Sequence, residues 1–474
     1  MGQILRGYAL NDPTWFYLSF LLIVAVYFKF SRFWSIRNLD LVLLLLVSPG
    51  LLLVRNKEDA AVAAFGYVWL FLTTALLLIR ALVDGLIARR PRLEQNMNSA
   101  GMAFLCAATF LFLTTKLLTE RPPESTVASV RLANELIGDA SAHSNAATGA
   151  AEGIEKQIHD AAPAGPATSL VAVPVAQISK AVVANQNSAA AASSIDLEVV
   201  TARLIAIFAH LAVILGLTLV GRHIFGDSDT GFAMATLYML LPCTAYDVGK
   251  THHVLPAALI IWAIWAYRRP FVSGTLLGLA CAMMFFPIFL LPLWAAFYGR
   301  RGGLRFGTAV GVTTALIVSC LMLISNDSQA LVHTLLGYVP WTDLPFLTIS
   351  RPVSGGPGFD SGFWDATKAA YSLPVLAGYL VMLVALTVWP NRKSLSHIIP
   401  ASAAIVMGTQ FWYQQGGVYV LWYLPLLLLV VFRPVMTNHF APELTPLLVF
   451  RRFGSRAPRQ SELVGSTGGP TLGA

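Results

Sequence analysis

Four ionisable residues share one short turn between apolar runs, Asp247-Val-Gly-Lys250-Thr-His252-His253. A carboxylate, an ammonium and two imidazoles in so few residues could hold an anionic group and move a proton. Ionisable groups at the working face of an apolar protein often mark its function, whereas the plain alternative is a solvated turn. Adjacent histidines on a helix point to different faces, so this pair alone is a poor metal site. A second constellation is Arg351 with Trp341, Asp343, Asp360 and Trp364. Its guanidinium suits a phosphate, and its indoles suit a sugar face or a membrane interface. A third is the carboxylate set Glu120, Glu124 and Asp139. Any one of these could deprotonate an acceptor hydroxyl, while acidic residues at a helix start also serve simply as caps. Lys116 and His210 fall inside apolar runs, where a snorkelling lysine and a hydrogen-bonded core histidine are the ordinary readings.

The elements that must position these groups are apolar. Of the 474 residues, 56% are hydrophobic and only 12% charged, and mean hydropathy is +0.66. A soluble domain could not bury that much apolar surface, so the composition predicts an all-α, polytopic integral membrane helical bundle. The net charge of +8 comes from short basic clusters between apolar runs, which is a topology signal rather than a nucleic-acid groove. Cys106, Cys243, Cys281 and Cys320 lie singly in apolar segments, without disulfide or metal spacing. No cleavable signal peptide, Walker motif or Ser-His-Asp order is evident.

Spans are predicted near 13–30, 39–54, 60–80, 99–118, 201–220, 230–246, 253–267, 306–325, 373–389, 398–413 and 418–432, with a kink at Ser48-Pro49-Gly50. The segment 272–297 contains Pro287 and Pro292 and reads as a re-entrant hairpin broken around Phe286-Pro287. Each half would reach only ~18 Å, too short for a hydrocarbon core of roughly 30 Å. That reading puts most lysines and arginines on one side, including Arg268, Arg269, Arg300, Arg301 and Arg305, and leaves Arg55, Lys250 and Arg351 opposite. About eleven crossings plus the hairpin follow, with the N-terminus outside and the C-terminus cytoplasmic. The chain divides into an N-terminal four-helix segment (1–118), an external loop (119–199), a membrane core (200–432) with a second external loop (326–371), and a tail (433–474). Glu120 to Asp139 has helical spacing, whereas Ser141 to Ser194 is rich in Ala, Ser and Gly and is expected to be weakly ordered.

Three stretches carry a family resemblance. Val248-Gly-Lys-Thr-His-His-Val-Leu-Pro-Ala-Ala-Leu259 resembles the Gly-Gln-x-Asn signature of polyprenol-phosphate-sugar-dependent membrane glycosyltransferases, family 87 of the GT-C class. Gly274-Thr-Leu-Leu-Gly-Leu-Ala280 through Pro287 and Pro292 resembles the segment that follows it. Gln414-Gln-Gly-Gly-Val-Tyr-Val-Leu-Trp-Tyr-Leu-Pro425 resembles the late Pro-x-Tyr motif of the same family. The chain departs from the pattern at Lys250, where Gln is usual, and at Met283 to Phe286, where a basic residue is missing.

The resemblance implies transfer of a sugar from a lipid-linked phosphate donor to a lipid or glycan acceptor on the outer face of the plasma membrane. Glu124, or else Glu120 or Asp139, would be the catalytic base. Asp247, Lys250, His252, His253, Arg351, Asp360, Trp364 and Gln414 would bind substrate. No cofactor is implied, with a divalent cation left open, and no nucleic-acid partner. The alternatives are a lipid or small-solute transporter or flippase, for which 272–297 would be the gate, and an inactive membrane scaffold.

Overall fold

The computed structural model describes residues 12–56, 59–87, 93, 95–136, 165–185, 194–324, 372–413, 416–436 and 439–442. Among them the regular structure is helical, apart from an isolated bridge between Ser394 and Phe440. Four helices lead: α1 (Asp12–Tyr27), α2 (Ile36–Val54), α3 (Ala60–Val83) and α4 (Ser99–Thr119). They match the predicted spans to within a few residues, because long leucine-rich runs leave the chain no other way to satisfy its amides in an apolar medium. Side chains cap α2, α3 and α4: Ser35, Asp59 and Asn98 each accept from amides of the first turn. The helix runs through Pro49, and Gly50 lets α3 approach closely. A Cβ there would lie 2.8 Å from Leu70 and from Trp69.

Five segments among the described residues are long and apolar enough to cross a bilayer: Ile36–Val54, Ala60–Leu86, Ser99–Thr119, Leu197–His223 and Phe286–Leu323. Shorter apolar helices complete the bundle. After α4 come α5 (Glu124–Leu136), α6 (Pro166–Asn185) and α7 (Ser194–His223). Helix α6 falls inside the stretch expected to be weakly ordered. Its alternating small apolar residues bury Ala167, Ala172 and Ala176 almost completely, and tertiary packing supplies what the bland composition hides.

Then follow α8 (Ser228–Leu240) and α9 (Pro242–Tyr246), which split the predicted span 230–246 at Leu241-Pro242. Next are α10 (Thr251–Trp265), α11 (Pro270–Met283) and α12 (Leu291–Ile324). The break expected near Phe286-Pro287 lies at Met284, which is extended, and a 3-10 turn over Phe286–Leu290 follows it. The amide of Gly165, ahead of α6, donates to the Met283 carbonyl freed by that break at 2.8 Å. A second irregularity is Gly299, at φ +63°, where the chain turns before the stretch that packs on α11. The bundle closes with α13 (Ser372–Val388), α14 (Leu395–Thr409) and α15 (Val420–Phe432).

Charge is segregated to the two ends of this bundle. At one end Asp84, fully buried, accepts from Arg80 at 3.0 Å and from the Nε of Arg433 at 2.8 Å. Arg80 also grips Asp40 with two hydrogen bonds, 2.6 and 2.9 Å long, tying α2 to α3. Arg433 carries the network to Ser396 at the start of α14. The other end holds the site.

Candidate functional site

Helices α1, α2, α4 and α10 bring their ends together around the 247–250 turn. His210 on α7 fixes that turn. Its Nε2–H donates to the Val248 carbonyl at 2.9 Å, while its Nδ1 accepts from the Tyr238 hydroxyl at 3.0 Å. A carbonyl can only accept, so the partners select this tautomer. His210 is therefore the satisfied core histidine that an apolar span leads one to expect. From the other side α5 docks on the turn. Thr126 donates to the Gly249 carbonyl at 2.9 Å, and Pro123 packs so closely that a Cβ on Gly249 would come within 2.5 Å of it.

Six charged side chains alternate in sign across this end. Lys250 pairs with Asp247 at 3.0 Å, Asp247 with Arg55 at 2.7 Å, and Arg55 with Asp12 at 2.8 Å. Asp12 then pairs with Lys116 at 3.0 Å and Lys116 with Glu120 at 3.3 Å. Arg55 also donates to the Tyr246 carbonyl and lies over the Tyr246 ring, 5.2 Å from its centroid. Burial alone would raise the Asp247 carboxyl, but Lys250 and Arg55 outweigh it and hold the group below the ordinary carboxylate range. Arg55 is likewise desolvated, yet Asp247 and Asp12 keep its guanidinium more firmly protonated than usual.

A cavity of about 170 Å³ opens over this chain of charges. Its walls carry Arg55, Glu120, Arg121, Asp247 and Lys250, with Pro122 and Pro123 at the α5 side. The alternating set is neutral as a whole, so Arg121 leaves the cavity with an excess positive charge. Arg203 on α7 adds a second cation close by, donating to the Glu120 carbonyl at 3.0 Å. No metal-holding group of three His, Cys, Asp or Glu side chains occurs among the described residues.

No protein-family model, curated protein or solved structure matches the chain. The site therefore rests on its own geometry.

The sequence-predicted residues fare unequally. Asp247, Lys250 and Glu120 meet in the cavity. Glu124 begins α5 just beyond it, but its carboxylate turns along the helix towards Arg131 at 3.7 Å. Arg131 also contacts Glu198 on α7 at 3.4 Å, so Glu124 belongs to the clamp that holds α5 on α7. His253 turns into the core, where its Nδ1 accepts from the Trp422 indole at 2.6 Å. His252 is buried beside it, with ring centroids 4.0 Å apart. Asp139, Arg351, Asp360, Trp364 and Gln414 lie outside the described residues. Sequence reasoning put Arg55 on the same side as Lys250 without giving it a role, and passed over Arg121 and Asp12. The signal for them was available: each stands within a residue or two of the end of an apolar run, and alternating span directions put those ends together.

Proposed function

We propose that this chain is an integral membrane glycosyltransferase of the GT-C type. It moves a sugar from a polyprenyl-phosphate donor to a lipid or glycan acceptor. The observation that carries the reading is the cavity whose wall holds Glu120, the surplus cation Arg121 and Lys250, at a charged end of an apolar helical bundle. In this reading the cavity faces the outside of the plasma membrane, the N-terminus shares that side, and the chain makes about eleven crossings plus the broken segment around Met284.

Glu120, rather than Glu124, serves as the base. The acceptor hydroxyl gives its proton to the Glu120 carboxylate as its oxygen attacks the anomeric carbon. The bond from that carbon to the phosphate oxygen breaks, and the electron pair leaves with the phosphate. Arg121 and Lys250 stabilise the charge that grows there, which lowers the barrier more than it tightens ground-state binding. A single displacement inverts the anomeric centre.

The test is transfer of labelled hexose from undecaprenyl-phosphate donors by the protein in nanodiscs. Glu120→Gln should lower transfer by about 10²–10⁴-fold, the span expected for losing a general base, while Glu124→Gln keeps most activity. Transfer that survives in the Glu120 variant removes Glu120 from this role, and no transfer by wild type from any donor removes the reading. A lipid transporter is the second reading, favoured by the breaks at Met284 and Gly299, because interrupted helices are what transporters use at their gates. It predicts flux of a lipid across the bilayer without formation of a glycosidic product.

A further inference from the structure

His252 lies in the first turn of α10, just after the Lys250 that lines the cavity, and is 2% exposed. Lys250 and Asp247 are both within electrostatic reach of it. Neither of its ring nitrogens has a hydrogen-bond partner. A neutral imidazole carries one donor and one acceptor, so both of its capacities are unmet. The two other histidines of this region are served: His210 at both nitrogens, and His253 by Trp422. Among the described residues, no other buried side chain lacks partners at two polar atoms. Buried polar groups are nearly always paired, and one that is not calls for a reason such as a ligand.

Helix spacing fixes the direction of this face. Leu255 and Leu259 lie one and two turns further along it. Leu255 packs on the cluster of Val127, Val130 and Ala202 and on that of Ala167, Met283 and Ile317. His252 therefore stands one turn before Leu255 on the same face, two residues beyond Lys250 of the cavity wall.

We infer that His252 is a ligand-binding residue that hydrogen-bonds a hydroxyl of the transferred sugar, an assignment that rests on the glycosyl-transfer reading. A hydroxyl both donates and accepts, which matches the two unmet nitrogens. An anion is better met by the cations already in the cavity wall, Arg55, Arg121 and Lys250, than by a neutral ring with one donor. A metal would need further ligands, and the described residues offer no such group. Stacking on the nearby indole is closed off as well. Trp422 is sandwiched between Phe286 at 4.5 Å and Tyr419 at 4.4 Å, so recognition of the sugar falls to polar groups.

The experiment compares wild type with His252→Phe in nanodiscs. It measures the thermal midpoint without ligand, and then binding of two probes: undecaprenyl phosphate, and undecaprenyl-phosphate hexoses carrying glucose, mannose or galactose. Phenylalanine fills the volume of the imidazole and removes the unmet polar atoms, so the midpoint should hold or rise. Affinity for the sugar-bearing lipid should fall about tenfold or more, the size of one lost hydrogen bond with its partner left unmet. Affinity for bare undecaprenyl phosphate should stay within twofold. If the variant keeps wild-type affinity for the sugar-bearing lipid, the inference fails while the glycosyl-transfer reading stands. If wild type binds neither lipid, both fail. Should His252→Phe not fold, His252→Ala supports the same comparison with the same outcomes.

Discussion

Asp247→Asn offers the sharpest test of the site's electrostatics. The substitution keeps the volume and one acceptor oxygen but removes the negative charge from the middle of the alternating chain. Each ion pair near 3 Å carries roughly 5–6 kcal/mol of Coulomb attraction at an effective dielectric of about 20, and Asp247 makes two, with Lys250 and with Arg55. Against this, desolvating the carboxylate, whose side chain is only 7% exposed, costs several kcal/mol, and the substitution relieves that cost. The partners are better hydrated, with 37% of the Arg55 side chain and 33% of Lys250 exposed, so water takes over part of their solvation.

The expected net loss is about 2–3 kcal/mol, between the ~0–1 of a surface pair and the ~3–5 of a fully buried one. Asp12→Asn removes a partner of both Arg55 and Lys116, but from a place 28% exposed, and Lys116 keeps Glu120, so it should cost less, about 1–2 kcal/mol. The native Asp247 carboxyl is held below its ordinary value, so its stabilisation is complete above that value and lost as pH falls through the lowered native one. The gap between wild type and Asp247→Asn should thus be widest near neutral pH and close in strong acid. Equilibrium unfolding in mild detergent across pH measures it. A loss below about 1 kcal/mol at neutral pH, an equal loss from Asp12→Asn, or a gap that widens in acid would each refute the reasoning.

At the opposite end, Asp84→Asn should cost about 3–5 kcal/mol, since it takes the carboxylate partner from the buried Arg433 while Arg80 keeps Asp40, and Asp84→Leu with Arg433→Met should recover most of that loss in an unfolding double-mutant cycle. Gly165→Ala should lower the thermal midpoint and loosen α6, measured by hydrogen exchange, because its Cβ would sit 2.2 Å from the Ala282 carbonyl. Arg121→Ala should lower kcat for transfer more than it raises KM, with little change in stability, whereas Arg131→Ala, which frees the α5 clamp, should lower the thermal midpoint and leave kcat nearly unchanged.

What the sequence determined by itself is most of the apolar helices and several of their ends, though neither α6 nor the split of 230–246. Runs such as Leu41 to Val54 and Val420 to Phe432 have one stable form in an apolar medium, and prolines at 270 and 287 mark where a run restarts. The Met284 break was legible for that reason. So was the 247–250 turn, because charged residues between two apolar helices have few places to go. The tertiary structure alone decided which charges meet. Asp12, Arg55, Lys116 and Asp247 are far apart in the chain and touch only because four helix ends converge, a fact that local periodicity does not carry. It also decided between equivalent residue types. Glu120 and Glu124 read alike until one ends α4 in the cavity wall and the other starts α5 and pairs with Arg131; His252 and His253 read alike until one meets Trp422 and the other is left without a hydrogen-bond partner.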